Sequence, residues 1–586
     1  MSTCKALFVA PRFGDSFWNV RIGGERYPSI PLGLVTVAAL LPASWTCRLV
    51  DRNVEALSDE DLDWADVVMT GGMLPQYFDT MAVFALAQAR GRPVVVGGPD
   101  PTSSPEKYAA AEFRVLGEVE GVMAEFVAAW ESGARRGDFK AEPFSVDMTT
   151  SPIPRFDLLN PRHYHYFAVQ FSRGCPFNCE FCDIIELYGR RPRVKTADQV
   201  LAELSALWKA GYRGQIDFVD DNLIGNKKAL RQLLPRLIAF QEARGYPFKF
   251  STEASINLAD DDALLDLMRR ANFFLIFVGI ESPDHDTLVQ AQKKQNTRRS
   301  LADSVHKLYR SGMIVTAGFI VGFDSEKGSV ARAMIDCIEE TAIPVCMVGL
   351  LYALPNTQLT RRLQREGRMD MTVGRSVGEA GPKDQTVDGL NFRTLRPRRD
   401  ILVDQRAIVA EIYDQAAYFR RVRRLGRLLD GFRPPPPRPS KGPLDARPES
   451  EATVAPPTRK AQGPRWLLYA LLAVIGLGGF SVVELQTGVR SLSQVAMRDR
   501  RLFWVICRTV ADCLVHNPSA FQAVMRMCIY YLHMGPFAQR VVAEMDRAID
   551  WEDTHPGWEA TGAAGPPPAA TPVRHSEPRL SGQPVA

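Results

Sequence analysis

The chain has 586 residues, room for several domains of ordinary size, and its 46% hydrophobic and 24% charged residues are the composition of a globular protein. A formal net charge of only +4 argues against a nucleic-acid binder that relies on a large basic field. Seven of the ten cysteines (Cys4, Cys47, Cys337, Cys346, Cys507, Cys513, Cys528) are scattered, mostly in apolar segments, which argues against a secreted disulfide framework. The apolar run after Lys5 is too short for a signal-peptide core, so the body of the chain is expected in the cytoplasm.

Residues 1–145 alternate short apolar runs with stretches of helical length. "KALFVAP", "CRLVD", "ADVVMTGG" and "RPVVVGGPD" predict buried strands, with "PLGLVTVAALLP" and "YFDTMAVFALAQARG" as helices between them. The alternation implies a Rossmann-like α/β domain with a parallel sheet, whose ligands sit beyond the carboxyl ends of the strands. Gly71-Gly72 and Gly97-Gly98 fall at such ends.

Residues 160–375 repeat the pattern with a longer unit. Six strands are predicted, from "YFAVQFSRG" through "QIDFVDDN", "FKFSTEAS", "FLIFVGIES" and "IVTAGFIVGF" to "VCMVGLLYALP". Six strand–helix units suggest a parallel barrel or part of one, a partial (β/α)6 barrel with its site at the carboxyl ends of the strands.

A basic helical extension occupies 376–432, followed by a Pro-rich linker at 433–465. Residues 466–550 form an apolar helical region, in which Trp466 to Val483 runs without a charge and just reaches the length of a membrane-spanning helix. That stretch reads either as a membrane helix or as a buried or interfacial helix of the C-terminal region; with the arginines of "YFRRVRRLGRLL" facing anionic lipid, it favours association with the inner face of the cytoplasmic membrane. Residues 551–586 have the composition of a disordered tail.

Three cysteines, Cys175, Cys179 and Cys182, fall within "FSRGCPFNCEFCDI" at the end of the first barrel strand. A structural zinc site wants four ligands, and no further Cys or His stands at finger spacing. A redox pair needs only two thiols. Three suit a four-iron cluster that leaves one iron without a protein ligand, free to bind something else.

C-x-x-x-C-x-aromatic-C in this strand–helix context resembles the signature of the radical S-adenosylmethionine (radical SAM) superfamily. The resemblance implies a 4Fe-4S cluster on Cys175, Cys179 and Cys182, whose open iron chelates S-adenosylmethionine and whose electron releases a 5′-deoxyadenosyl radical. It implies Phe181 against the adenine, and further S-adenosylmethionine contacts from Asp220 and Asn222 of "FVDDN", Glu253 of "STEAS" and Glu281 of "GIES". A Rossmann-like domain before such a barrel resembles the cobalamin-binding arrangement. Where that family carries D-x-H-x-x-G, this chain has "DRNVEA", with Asp51 kept, Asn53 for the histidine and Ala56 for the glycine. An asparagine amide is a poor cobalt ligand beside an imidazole, so either cobalamin binds without a side-chain ligand below the metal, which the resemblance favours, or the domain has lost it and is purely structural. Gly71, Gly72, Gln76, Gly97, Gly98, Gly117 and Glu118 are the other implied cobalamin contacts.

The runs "FSRGCPFNCEFCDIIELYGRRPRVKT" and "FVDDNLIGNKKA" are similar to the subgroup of cobalamin-dependent radical SAM proteins that includes the hopanoid C-2 methylases. The implied activity is methyl transfer from S-adenosylmethionine, via methylcobalamin, to an unactivated carbon of a lipid-like or isoprenoid substrate. An electron donor such as flavodoxin or ferredoxin is implied, and no nucleic-acid partner. The alternatives are an oxidoreductase or cyclase using the same cofactors without methyl transfer, and a non-catalytic scaffold.

Overall fold

The computed structural model describes residues 3–14, 17, 26–369, 386–387, 389–430 and 499–555. In the first sheet β1 (Lys5–Ala10), β2 (Thr46–Asp51), β3 (Val67–Gly71), β4 (Val94–Gly97), β5 (Phe113–Leu116) and β6 (Gly137–Lys140) lie in the order β2-β1-β3-β4-β5-β6. All neighbours are parallel. Alternate residues of one strand serve opposite faces: Phe8, Met69 and Val95 join one core cluster, Leu7, Val68 and Val94 the other. The order reverses between β1 and β3, where such sheets bind ligands. Four of the strands match apolar runs in the sequence. β5 and β6 are additional, short and charged, and Arg114 of one pairs with Asp138 of the other at 2.5 Å.

The segment "YFAVQFSRG" divides into β7 (Tyr166–Val169) and β8 (Ser172–Arg173), and β8 pairs antiparallel with β9 (Arg193–Val194). β7 opens the second sheet, followed by β10 (Gly214–Phe218), β11 (Phe248–Glu253), β12 (Phe273–Glu281), β13 (Ile314–Val321) and β14 (Cys346–Leu350). Each strand lies parallel beside its predecessor, β7-β10-β11-β12-β13-β14, the arrangement expected of a partial (β/α)6 barrel. Outward-facing Phe218, Phe250 and Phe273 pack on the helices.

Four helices follow, Arg398–Ile412, Gln415–Leu428, Arg500–His516 and Phe521–Thr554. Their Tyr418, Val422, Ile506, Val524 and Met527 share one core with the barrel. The last helix crosses the amino end of the barrel. Arg526 Nη1 donates to Gln215 Oε1 at 2.8 Å, Lys249 Nζ donates to Gln522 Oε1 at 3.0 Å, and the Arg526 guanidinium stands 4.4 Å from the centre of the Phe274 ring.

The arginines of "YFRRVRRLGRLL" do not form one outward-facing set: Arg421 is buried and Arg423 and Arg424 are partly buried, while the exposed Arg420 and Arg427 each pair with a carboxylate. Arg420 and Arg421 pair with Glu339, Arg424 donates to the Glu339 and Glu340 carbonyls, Arg423 to Thr509 and Arg427 to Asp512. Each of them thus bonds within the protein, three to carboxylates and two to hydroxyl or carbonyl oxygens. The Pro-rich linker, the apolar stretch 466–483 and residues 556–586 lie outside the described residues. No described helix is long and apolar enough to cross a membrane.

Candidate active site

The three cysteines occupy the loop between β8 and the short helix Ile184–Leu187, at the carboxyl end of the barrel strands, and all three are free thiols. The loop is anchored before it begins. Asp220 accepts from Phe171 N at 3.0 Å and from Ser172 N and Oγ at 2.5 Å each, and Asp221 accepts from Gly174 N at 2.9 Å. Gly174 has φ +97°, and a Cβ there would stand 2.8 Å from Gly189 O, so only glycine turns the chain into the loop without strain. Within the loop Asn178 bonds Gln292 and Gln358, and Glu180 pairs with Arg362, which also reaches Asp324 beyond β13.

Amide donors reach two of the sulfurs: Asn222 Nδ2 lies 3.8 Å from Cys175 Sγ, and Gln295 Nε2 lies 3.7 Å from Cys179 Sγ. Lys293 pairs with Glu281 at 2.7 Å and stands 5.9 Å from the Phe181 ring centre. Burial would lower the Lys293 pKa, but the Glu281 carboxylate outweighs it and holds the amine charged. Burial, the largest influence, raises the Cys175 and Cys182 pKa values, so these thiols are held protonated until a cation displaces the proton. Among the described residues no group of three or more His, Cys, Asp or Glu could hold a metal ion. A four-iron cluster makes a different demand, because each thiolate binds its own iron and the sulfurs need not converge on one point. Three free thiols in one loop, with amide donors on two and a charged lysine beside them, fit such a cluster and its net negative charge.

The implied S-adenosylmethionine contacts fall into two groups. Phe181, Asn222, Glu253 and Glu281 stand around the barrel mouth. Phe181 meets Phe323 edge-on at 5.9 Å. Glu281 has φ +66° at a bulge of β12, a conformation unusual for a non-glycine residue and frequent at functional sites. Glu253 is exposed at the end of β11, yet surrounded by strand ends that push its pKa up to about 8, through desolvation first and then Asp217 and Asp221. Asp220 differs, since its oxygens are taken up by the backbone ahead of the cysteines.

Burial, foremost, pushes the Asp220 pKa up to about 7 and that of Asp221 to about 6. A carboxyl raised from the ordinary value binds more protons folded than unfolded, so its contribution to stability is full below about pH 4 and is lost as the pH rises to about 7. Urea titrations of the apoprotein at pH 5 and pH 7.5 are expected to show this decline, on the order of 1–4 kcal/mol, and Asp220→Asn should flatten it.

In the first domain the implied cobalamin contacts are engaged with protein. Asn53 Nδ2 donates to Asp51 Oδ1 at 2.7 Å and to Pro11 O at 3.2 Å, while its Oδ1 accepts from Phe13 N at 2.9 Å. Asp51 is buried and also accepts from Tyr164 Oη at 3.0 Å, which ties the sheet to the barrel. Gln76 Nε2 donates to Pro11 O at 2.8 Å. A Cβ on Gly71 would lie 1.8 Å from Gly97 O, on Gly72 2.2 Å from Gln76 Oε1, on Gly97 2.7 Å from Val115 O, on Gly98 3.1 Å from Gly72 N, and on Gly117 3.1 Å from the Ala141 Cβ. The need for glycine at these strand ends is therefore met by the fold's own backbone. Met73, half exposed beside Gly71-Gly72, leaves apolar surface at the sheet's carboxyl edge, which fits a large flat ligand held by backbone and apolar contact.

Glu118 performs a different task. With Glu120 it meets Arg173, at 3.1 and 2.8 Å, and it also meets Arg193 at 2.7 Å. Arg173 lies two residues before Cys175, so this nearly buried cluster joins the first sheet directly to the cysteine loop. Sequence reasoning missed Arg173, Glu120, Lys293 and Gln295. Arg173 lies inside the quoted "FSRGC", but its partners come from a separate domain, and no local pattern marks Lys293 or Gln295.

A parallel sheet clamped beside the mouth of a six-strand barrel that carries three free cysteines is the architecture of a radical SAM enzyme with an accessory binding domain. The family model described as the Radical SAM superfamily matches residues 169–337, and a domain of unknown function, DUF4070, matches residues 357–547. An uncharacterized methyltransferase of Synechocystis sp. is 38% identical over 93% of this chain and 94% of its own length. The hopanoid C-2 methylase of Rhodopseudomonas palustris is 36% identical over 65% of this chain and 75% of its own. The solved structure of OxsB, described as a cobalamin-dependent S-adenosylmethionine radical enzyme with aqua-cobalamin and S-adenosylmethionine bound, superposes with a TM-score of 0.54 at 14% identity, covering 92% of this chain and 84% of that one. At that identity the likeness speaks for the fold. The chain belongs to the radical SAM superfamily, within the methyltransferase group of these relatives.

Proposed function

We propose that this protein is a cobalamin-dependent radical SAM C-methyltransferase acting on an unactivated carbon of a lipid or isoprenoid substrate. The observation that carries the reading is the loop of three free cysteines at the carboxyl end of the barrel, joined through Arg173 to the carboxyl edge of a Rossmann-like sheet. When bound, the cluster with S-adenosylmethionine supplies a 5′-deoxyadenosyl radical, and cobalamin supplies the methyl group.

This chain's residues position those groups. Cys175, Cys179 and Cys182 would hold the cluster, with Asn222, Gln295 and Lys293 offsetting its charge. Phe181 would lie against the adenine, and Glu253 and Glu281 would meet the polar parts of S-adenosylmethionine. Asn53 stays with its protein partners, so no side chain at that position would ligate cobalt. The hopanoid methylase relative supports a lipid-like substrate. A small electron donor of the flavodoxin or ferredoxin kind would supply the electron. Attachment to the inner membrane face rests on the apolar stretch 466–483 alone, since the arginines first considered for it are paired within the protein.

The test is to reconstitute the protein anaerobically with iron, sulfide and cobalamin, then supply reductant, methyl-deuterated S-adenosylmethionine and an extract of cells lacking the gene. Deuterated methyl in a product, together with 5′-deoxyadenosine, is the expected result. 5′-Deoxyadenosine with no labelled product would favour the oxidative alternative.

A further inference from the structure

The interior of the barrel has two unlike walls. Strand register places Tyr166, Gln215 and Lys249 in one layer, with Asp217 and Ser251 in the next, and Glu253 at the mouth. On the other side the corresponding positions are Leu275, Phe277, Ile314 and Met347, with one polar residue, Thr316, paired with Phe277. One half of the lumen, from β7 to β11, is therefore mainly polar, and the other, from β12 to β14, is mainly apolar, with Thr316 as its polar exception.

The polar half is only partly satisfied from within. Ser251 Oγ donates to Asp217 Oδ1 at 2.5 Å, and Gln215 Nε2 donates to Ser251 Oγ at 3.0 Å. Gln215 Oε1 is closed off below by Arg526 of the floor helix. The chain of hydrogen bonds thus ends on Asp217, which has no other hydrogen-bond partner among the described residues. The phenols of Tyr166 and Tyr530, the latter from the floor helix, both feel its charge. Asp217 is itself half-buried, two residues below the level of Glu253 on the neighbouring strand, or about 7 Å at the strand rise.

A lumen filled by plain hydrocarbon would displace water from the Asp217 carboxylate and return no hydrogen bond, which is a heavy penalty for a charged group. A molecule with a donor on one side and an apolar body on the other would satisfy both walls. Resting on the methyltransferase reading, we infer that the substrate is an amphiphile whose hydroxyl or amine donates to Asp217, while its hydrocarbon body lies against Leu275, Phe277 and Met347. The floor helix, part of the region matched by the domain of unknown function, completes this polar end of the chamber.

The test uses the reconstituted full-length protein with methyl-deuterated S-adenosylmethionine and the cell extract. The labelled product is silylated and weighed by mass spectrometry. It is expected to take up at least one silyl group, and its nitrogen content separates amine from alcohol. With that substrate purified, Asp217→Asn should raise KM roughly ten- to hundred-fold, the range for a hydrogen bond to a charged group. The EPR spectrum of the reduced cluster in the variant checks that the fold is intact. A labelled product with no O–H or N–H group would overturn the inference, as would a KM in Asp217→Asn within twofold of wild type. Failure of the underlying reading would look different, as 5′-deoxyadenosine with label in no product at all.

Discussion

Replacing Cys175, Cys179 or Cys182 by alanine is expected to strip the protein of its iron and end the cleavage of S-adenosylmethionine. Each thiolate would bind a separate iron, so no neighbouring side chain can take over a lost corner, and the other free cysteines belong to other parts of the chain. Loss of a partner that merely hydrogen-bonds a metal ligand costs about 10–100-fold, and loss of the ligand should cost more. The measurements are iron and sulfide content, the EPR signal after reduction, and 5′-deoxyadenosine formed per hour. Asn222→Ala, which removes only the amide beside Cys175, should retain iron but fall within the 10–100-fold range. Cysteine variants that kept both iron and cleavage would end the assignment of this loop.

Arg173→Met is expected to be the most damaging substitution outside the cysteines. Glu118 and Glu120 are 3% and 2% exposed at their side chains, and Arg173 is 11% exposed. Removing the cation leaves two buried carboxylates, with Glu118 keeping Arg193 and Glu120 keeping the Ser151 hydroxyl at 3.0 Å and a backbone amide but no cation among the described residues. Breaking a buried pair in this way costs about 3–5 kcal/mol, and Tm should fall by about 2–4 °C for a chain of this length. The triple variant Glu118→Gln, Glu120→Gln, Arg173→Met removes the charges together and should recover much of the loss.

The pH dependence separates a charge effect from a packing effect. In the wild type burial would raise the Glu120 pKa, but Arg173 outweighs it and holds the carboxyl below its ordinary value. Its contribution is present above the ordinary carboxylate range and is lost as the pH falls below it. Without Arg173 burial is opposed only by the Ser151 hydroxyl and a backbone amide, both weaker than the ion pair, so the sign is expected to reverse and Arg173→Met should lose stability as the pH rises. Because Arg173 joins the sheet to the cysteine loop, the variant should also form more 5′-deoxyadenosine per labelled product. An unchanged ratio would mean that the cluster contributes stability alone.

Much of this was legible in the residues themselves. Apolar runs alternating with helical stretches specify parallel strands, because a strand covered on both faces must be apolar throughout. The spacing of Cys175, Cys179 and Cys182 is local, and so was readable as a motif. β5 and β6 were not readable, since Arg114 and Asp138 break the apolar pattern and make sense only as partners across the sheet. Asn53, Gln76 and Glu118 show the same limit at the site. Their positions suggested ligand contacts, but Pro11, Arg173 and Arg193, distant in sequence, turned out to be their partners. Sequence alone determined most of the element types and the cysteine loop, which depend on neighbours a few residues away. Tertiary structure decided which polar side chains hold the protein together, which ones remain open around the barrel mouth, and that the last helix forms its floor. Those outcomes depend on pairings across 40 to more than 300 residues of chain, and only the folded chain brings such partners within hydrogen-bond range.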